Sequence, residues 1–281
     1  MKTTGVEVHQ KALATGCRGR RGQRSCYDRM RRCRRLMALL AVVMLAAGCV
    51  VTVGGAAQPA SLSTPQSLTG RTIKHVLLGD SALSRILKEP LNIDPRFPPR
   101  FGGPETLQDE MFAWPNDCLG VAVMLQQYVY QSRSIKGVAA ETWRHAAMSS
   151  EVTSVKEGVV SLPTAADANA LFAEFSQQWQ KCDGTTLPLP GAAVRLKAKI
   201  TDVEAATSVV AATVSTDWAS PSSDSESIAA GRAIGVQGNC LIEVEVDFFN
   251  TSNPPRHRPG DINTSAIDIA RAMMDKVSAL K

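Results

Sequence analysis

In four runs between Val194 and Phe249 apolar residues alternate with polar or small ones, and this pattern constrains the fold more than any other feature of the chain. Val194 to Val203, Thr207 to Thr216, Ser227 to Val236 and Asn239 to Phe249 each read as a strand, because side chains two apart share one face of a sheet. The links between consecutive runs are short, and Gln237-Gly238 is a hairpin signal, so neighbouring strands run antiparallel. Gly137 to Trp143 and Val152 to Leu162, rich in apolar and β-branched residues, predict the strands that open the sheet.

Helical spacing appears in two longer stretches. Thr164 followed three residues later by Asp167 is a cap signal for a helix reaching Cys182, with Ala168, Leu171, Phe172, Phe175 and Trp179 on its buried side. A final helix starts near Thr264 and aligns Ala266, Ala270, Met273, Val277 and Leu280. Shorter helices are expected at Asp80 to Lys88 and at Asn116 to Gln127, the second carrying Cys118, with a proline-rich irregular stretch between them. Strands with short links plus a few helices predict an α+β domain: an antiparallel sheet with the helices packed on one face, over residues 70–281.

The same alternation places charges. Glu243, Glu245 and Asp247 alternate with Ile242, Val244, Val246 and Phe248, and Arg195, Lys197 and Lys199 alternate with Leu196, Ala198 and Ile200. Burying three like charges without partners costs more than a domain's net stability. Both triplets are therefore expected on a solvated, helix-free face, either as simple surface or as a charged surface that binds a polar ligand or partner. On that placement Glu245→Lys changes stability by well under about 2 kcal/mol, whereas Val244→Asp prevents folding.

Charge also divides the chain along its length. Residues 1–48 hold 11 Lys+Arg and 2 Asp+Glu, leaving 20 and 24 for residues 49–281, so the part beyond Gly48 is mildly acidic and nucleic acid is not an expected partner. Arg29 to Arg35 and the apolar run Leu36 to Ala47 have the layout of an export signal, with Met30 an alternative start. Small residues ending in Gly48-Cys49 are similar to a bacterial lipobox, in which the cysteine is acylated and the chain cut before it, although Ala46 stands where a leucine is usual. The expected order is a signal peptide over 1–48, a lipidated low-complexity tether over 49–69, and an extracytoplasmic domain anchored to the cell membrane. Leu36 to Val53, eighteen uncharged residues, keeps an uncleaved single span as the alternative.

Three cysteines lie beyond Cys49. Cys118 and Cys182 fall at or near helix ends beside loops, whereas Cys240 lies inside a strand, where a thiol is usually a small hydrophobe. In an oxidising compartment Cys118 is expected to bridge Cys182. No close Cys/His spacing supports a metal site, and no cofactor motif is present.

Val159-Val160-Ser161-Leu162-Pro163-Thr164, then Phe175 and Trp179-Gln180-Lys181-Cys182, together with Arg232 to Asn239 before an apolar strand, resemble the PknH-like extracellular domain family. That family comprises the sensor domain of a mycobacterial serine/threonine kinase and related mycobacterial lipoproteins. The resemblance implies an α+β domain with a cleft, held by disulfides, that binds an extracytoplasmic ligand without catalysis. Two departures stand out: no kinase motif accompanies the domain, and three candidate cysteines replace the four that two bridges need. An envelope lipid carrier is the second reading, and it requires a large apolar cavity. A hydrolase is third, resting on Gly79-Asp80-Ser81 after an apolar run. The Gly-x-Asn-Asp block and late Asp-x-x-His that such enzymes use are missing, and a helix cap explains Asp80 or Ser81 equally well.

The lipid anchor is directly testable. Cys49→Ala is expected to abolish processing at Gly48 and to release the protein from the detergent phase; an unchanged mature mass and unchanged partition would sink it.

Overall fold

The computed structural model describes residues 67–108, 115–147, 151–189, 195–219, 226–249 and 261–280. The expected signal peptide, Cys49 and the expected tether up to residue 66 lie outside the described residues. Nine strands form one antiparallel sheet: β1 (Leu91–Ile93), β2 (Arg100–Gly102), β3 (Gly137–His145), β4 (Val152–Ser161), β5 (Thr186–Leu189), β6 (Arg195–Ala205), β7 (Val209–Ala219), β8 (Glu226–Gln237) and β9 (Cys240–Phe248). Their spatial order is β1-β3-β4-β9-β8-β7-β6-β5, with β2 also pairing β3. The early and late halves of the chain therefore join where β4 pairs β9, from Val152 opposite Phe248 to Ser161 opposite Cys240. Gly238, at φ 58°, supplies the left-handed residue of the tight β8–β9 turn.

Among the described residues five α-helices accompany the sheet: α1 (Asp80–Leu87), α2 (Leu119–Ala122), α3 (Gln127–Tyr130), α4 (Ala165–Cys182) and α5 (Ser265–Ala279). The expected capping box opens α4: Asp167 N donates to Thr164 Oγ1 and Thr164 N to the Asp167 carboxylate, both at 3.1 Å. At its other end Cys182 is bridged to Cys118, with Cα atoms 5.6 Å apart across 64 residues of sequence. Closing a loop of that size stabilises a fold by roughly 2 to 4 kcal/mol.

The expected helix from Asn116 to Gln127 is broken. After the single turn of α2 the chain turns extended at Val123, and Leu125 adopts φ 55°. The backbone here has other partners: Gln108 N donates to Leu125 O and Gln127 N to Gln108 O, both at 2.8 Å, while Leu125 N donates to the Glu243 carboxylate. Gly158 makes room for this turn, since a Cβ there would lie 2.9 Å from Leu125 Cδ1.

The fold class is as expected, but the helices cover both faces of the sheet rather than one. On the first face α4 sets Leu171, Phe172, Phe175 and Trp179 against Val160, Ile200, Val214, Ile234 and Leu241. On the second, α1 and α5 set Leu83, Leu87, Ile269, Met273 and Val277 against Trp143, Val155, Val159, Ile242, Val244 and Val246. The physical reason is visible in β9, where every position except Asp247 is buried, so both faces need a cover.

The N-terminal strap, Leu68 to Leu78, is held to the second face by side chains. Asn239 reads both backbone groups of Leu68 (Leu68 N to Oδ1 2.9 Å, Nδ2 to Leu68 O 2.8 Å), and Lys276 Nζ donates to Leu77 O. Glu157, fully buried, accepts from Leu78 N at 3.0 Å and Trp143 Nε1 at 2.9 Å. Burial pushes its carboxyl up to about 8, against the opposing pull of those two hydrogen bonds. A raised acid binds its proton in the folded chain when the unfolded chain has already lost it. The stabilisation is thus complete below the ordinary value of 4.5 and is lost as pH climbs to about 8. Urea unfolding is expected to show stability falling by a few kcal/mol across pH 5 to 8 in the native protein. Glu157→Gln, neutral throughout, is expected to flatten that slope; equal slopes would show that Glu157 is ionised in the fold.

Candidate ligand-binding groove

The site is built around an arginine, Arg232, that the sequence marked only as part of the family resemblance. Arg232 of β8 is 1% exposed. Its Nε donates to Val121 O (3.0 Å), Nη1 to Val244 O (3.3 Å), and Nη2 to Gly120 O and to Glu243 Oε2 (both 3.1 Å). Glu245 Oε2 lies 3.7 Å from Nε, and the guanidinium carbon stands 5.7 Å from the centre of the Trp179 ring. Glu243 is saturated in turn by Leu125 N and by the Tyr130 hydroxyl, which donates at 2.6 Å. Burial, then the charge of Glu243, pushes the Tyr130 phenol well above its ordinary range, so it stays a donor. The signal was present as a lone arginine inside the apolar run Ile228 to Val236, where an internal charge requires a carboxylate partner.

One step further along β9 the same face opens to solvent. Lys156 of β4 pairs with Glu245 and lies 3.6 Å from Asp247, whose carboxylate also accepts from Ser154 Oγ. Burial alone would depress the Lys156 ammonium, but Glu245 and Asp247 hold it above its ordinary value. Burial likewise favours a protonated Glu245, yet Lys156 and Arg232 keep it below the usual carboxylate range. Asp247 is shifted the other way, upward, by burial and by the charge of Glu245.

These three residues floor a groove of about 850 Å³. It crosses the part of the face bearing Thr142, Thr216, Ile228 and Leu196, contributed by β3, β7, β8 and β6. One wall is apolar, made by Ala122, Val123 and Met124 of the broken helix. The lip over β3 is made by the loop carrying Arg96 and Phe97 and by Arg100 at the start of β2. Arg96 is pinned by Asp94 (Nη2 to Oδ2 2.6 Å), whose carboxyl that contact draws down to about 2. Phe97 is left 56% exposed.

The charged triplets are not arranged as expected. Pairing carries Ile200 through Val214 and Ala230 to Asp247, so the Glu243, Glu245 and Asp247 face is the one that Ile200 shares. Lys197 and Lys199 are exposed on the opposite face, and the Arg195 side chain lies outside the described residues. Far from being solvated, Glu243 and Glu245 are 3% and 7% exposed. They tolerate burial because Arg232 and Lys156, rather than the β6 lysines, compensate them. Ser81, the hydrolase lead, is exposed at the start of α1 and donates to Asp80, whose carboxylate also takes the Ser81 N–H; the N-cap position itself is Gly79.

An antiparallel sheet covered by helices on both faces, with an open charged groove among the described residues, defines an α+β domain. The chain belongs to the PknH-like extracellular domain family, whose model matches residues 68–276. Among solved structures, it is similar to the extracellular domain of PknH from Mycobacterium tuberculosis, with a TM-score of 0.61 and 19% identity over 76% of this chain and 98% of that one. A putative uncharacterized protein from Mycobacterium smegmatis aligns with a TM-score of 0.34 and 10% identity over 74% and 96% of the two chains. No curated protein matches. Among the described residues no helix is long and apolar enough to cross a membrane.

Breaking a buried charge pair from one side costs about 3 to 5 kcal/mol. Arg232→Met and Glu245→Lys are each expected to lower stability by that amount in urea unfolding, and Val244→Asp to prevent folding, while Lys199→Glu stays within about 0.5 kcal/mol. A mild effect of Glu245→Lys would mean that Lys156 and Arg232 do not depend on it.

Proposed function

We propose that this chain is a cell-envelope lipoprotein, held to the extracytoplasmic face of the membrane through Cys49, whose folded domain binds an extracytoplasmic ligand or partner without catalysing a reaction. The observation that carries the reading is the groove: a long open trough of about 850 Å³ with Lys156, Glu245 and Asp247 on its floor. The family adds that the domain type is extracellular. Binding is favoured over catalysis because Glu245 and Lys156 already neutralise each other. Ser81, moreover, sits on α1, across the sheet from the groove. A lipid carrier fits less well, since an acyl chain would have to cover three charged groups.

In-cell photo-crosslinking tests the proposal. A photoreactive residue placed at Thr216 or Thr142 in the full-length protein is expected to trap one common species, which the same residue at Lys199 on the opposite face does not trap. Capture at neither groove position, or equal capture at all three, would overturn the binding role.

A further inference from the structure

The shape of the groove and the order of charges along it narrow the ligand class, an inference that rests on the binding role above. The floor runs from Thr142 of β3, past Lys156 of β4 and Asp247 of β9, to Thr216 of β7 and Leu196 of β6. Along the strand order β3-β4-β9-β8-β7-β6 this is five strand spacings, or about 24 Å. A compact metabolite would leave most of that length empty. An extended polypeptide, rising about 3.3 Å per residue, would fill it with roughly seven residues.

Charge then distinguishes the three parts. In the middle, the described floor and the layer beneath it combine two cations, Lys156 and Arg232, with three carboxylates, Glu243, Glu245 and Asp247. Arg232 is spent on Glu243 and Glu245, and Lys156 lies nearer Glu245 than Asp247. One negative charge is left over, and it belongs to Asp247, whose side chain keeps 18% of its surface open to the groove. At the β3 end Arg100 is exposed and has no ion-pair partner among the described residues. At the β6 end Leu196 and Ile228 make an apolar patch. A ligand that matches this series has an acidic group, then a basic one, then an apolar one.

We infer that the groove binds an extended segment of polypeptide, with a lysine or arginine side chain on Asp247, an acidic side chain toward Arg100 and an apolar side chain on Leu196 and Ile228. Thr142 and Thr216 offer hydroxyls that both donate and accept, as a peptide backbone requires. A fatty acyl chain does not fit the charged centre. A glycan would be expected to find several aromatic platforms, and among the described residues of the lining Phe97 is the aromatic one.

A random heptapeptide library presented to the full-length protein tests this. The expected result is enrichment of peptides with Lys or Arg at one fixed position and Asp or Glu nearer one end. Asp247→Asn is expected to weaken the best peptide at least tenfold and erase the basic preference. Arg100→Glu, on an exposed side chain that folding does not need, is expected to convert the acidic preference into a basic one, which keeps the inference testable even if Asp247→Asn fails to fold. Enrichment without a charged position, selection of uniformly acidic peptides, or an unchanged preference in Arg100→Glu would overturn it. If no peptide is enriched while Thr216 still crosslinks a species in cells, the polypeptide class is wrong and the binding role stands. If neither occurs, the binding role itself fails.

Discussion

The guanidinium of Arg232 sits where β8, β9, α2 and α4 come together, and its hydrogen bonds are what allow a charged layer inside this sheet. Stripping a guanidinium of water is expensive unless almost all of its donors are matched. Here three backbone carbonyls and the Glu243 carboxylate take them, and the Trp179 ring closes the remaining side. Two of those carbonyls, Gly120 O and Val121 O, belong to the one-turn helix that walls the groove. The same cation that permits Glu243 and Glu245 to be buried therefore also sets the position of the apolar wall. Tyr130 and Leu125 fasten the next few residues to Glu243, which makes the broken helix a consequence of the charge layer beneath it.

The two faces solve the same burial problem with different chemistry. The α4 face neutralises its carboxylates with cations, whereas Glu157 on the other face is held by two N–H donors and its own proton. The difference follows from what each carboxylate meets. Glu245 meets cations that pair with it, whereas Glu157 meets the Leu78 N–H and the Trp143 indole N–H, and the nearby Lys276 ammonium donates to Leu77 O instead.

Local periodicity made most of the elements readable. Alternation located β3, β4 and β6 to β9, the Thr164 and Asp167 pair located the start of α4, and position relative to helix ends selected Cys118 and Cys182 as the bridge. Period two says which residues share a face within one strand, but not which face that is in a strand two or three places away. Putting both charged triplets on one face would set Leu196 and Ile200 beside Val244, whereas pairing through Val214 and Ala230 groups Ile200 with Asp247. The short strands β1, β2 and β5 span three, three and four residues, too few for a period to show, and β5 contains Pro188. The break at Val123 to Gln127 was illegible because its cause, the carboxylate of Glu243, lies 118 residues away from Leu125.

A sheet clothed on both sides is also a partition. The apolar side chains beneath α4 and those beneath α1 and α5 form two clusters with no member in common. Energetic coupling between substitutions decays with distance and with the loss of shared neighbours, so changes on one side are largely independent of changes on the other. The groove side can therefore be reshaped by substitution while the side that holds the strap from Leu68 to Leu78 is left largely undisturbed. The architecture thereby keeps the charged groove and the strap in separate packing units.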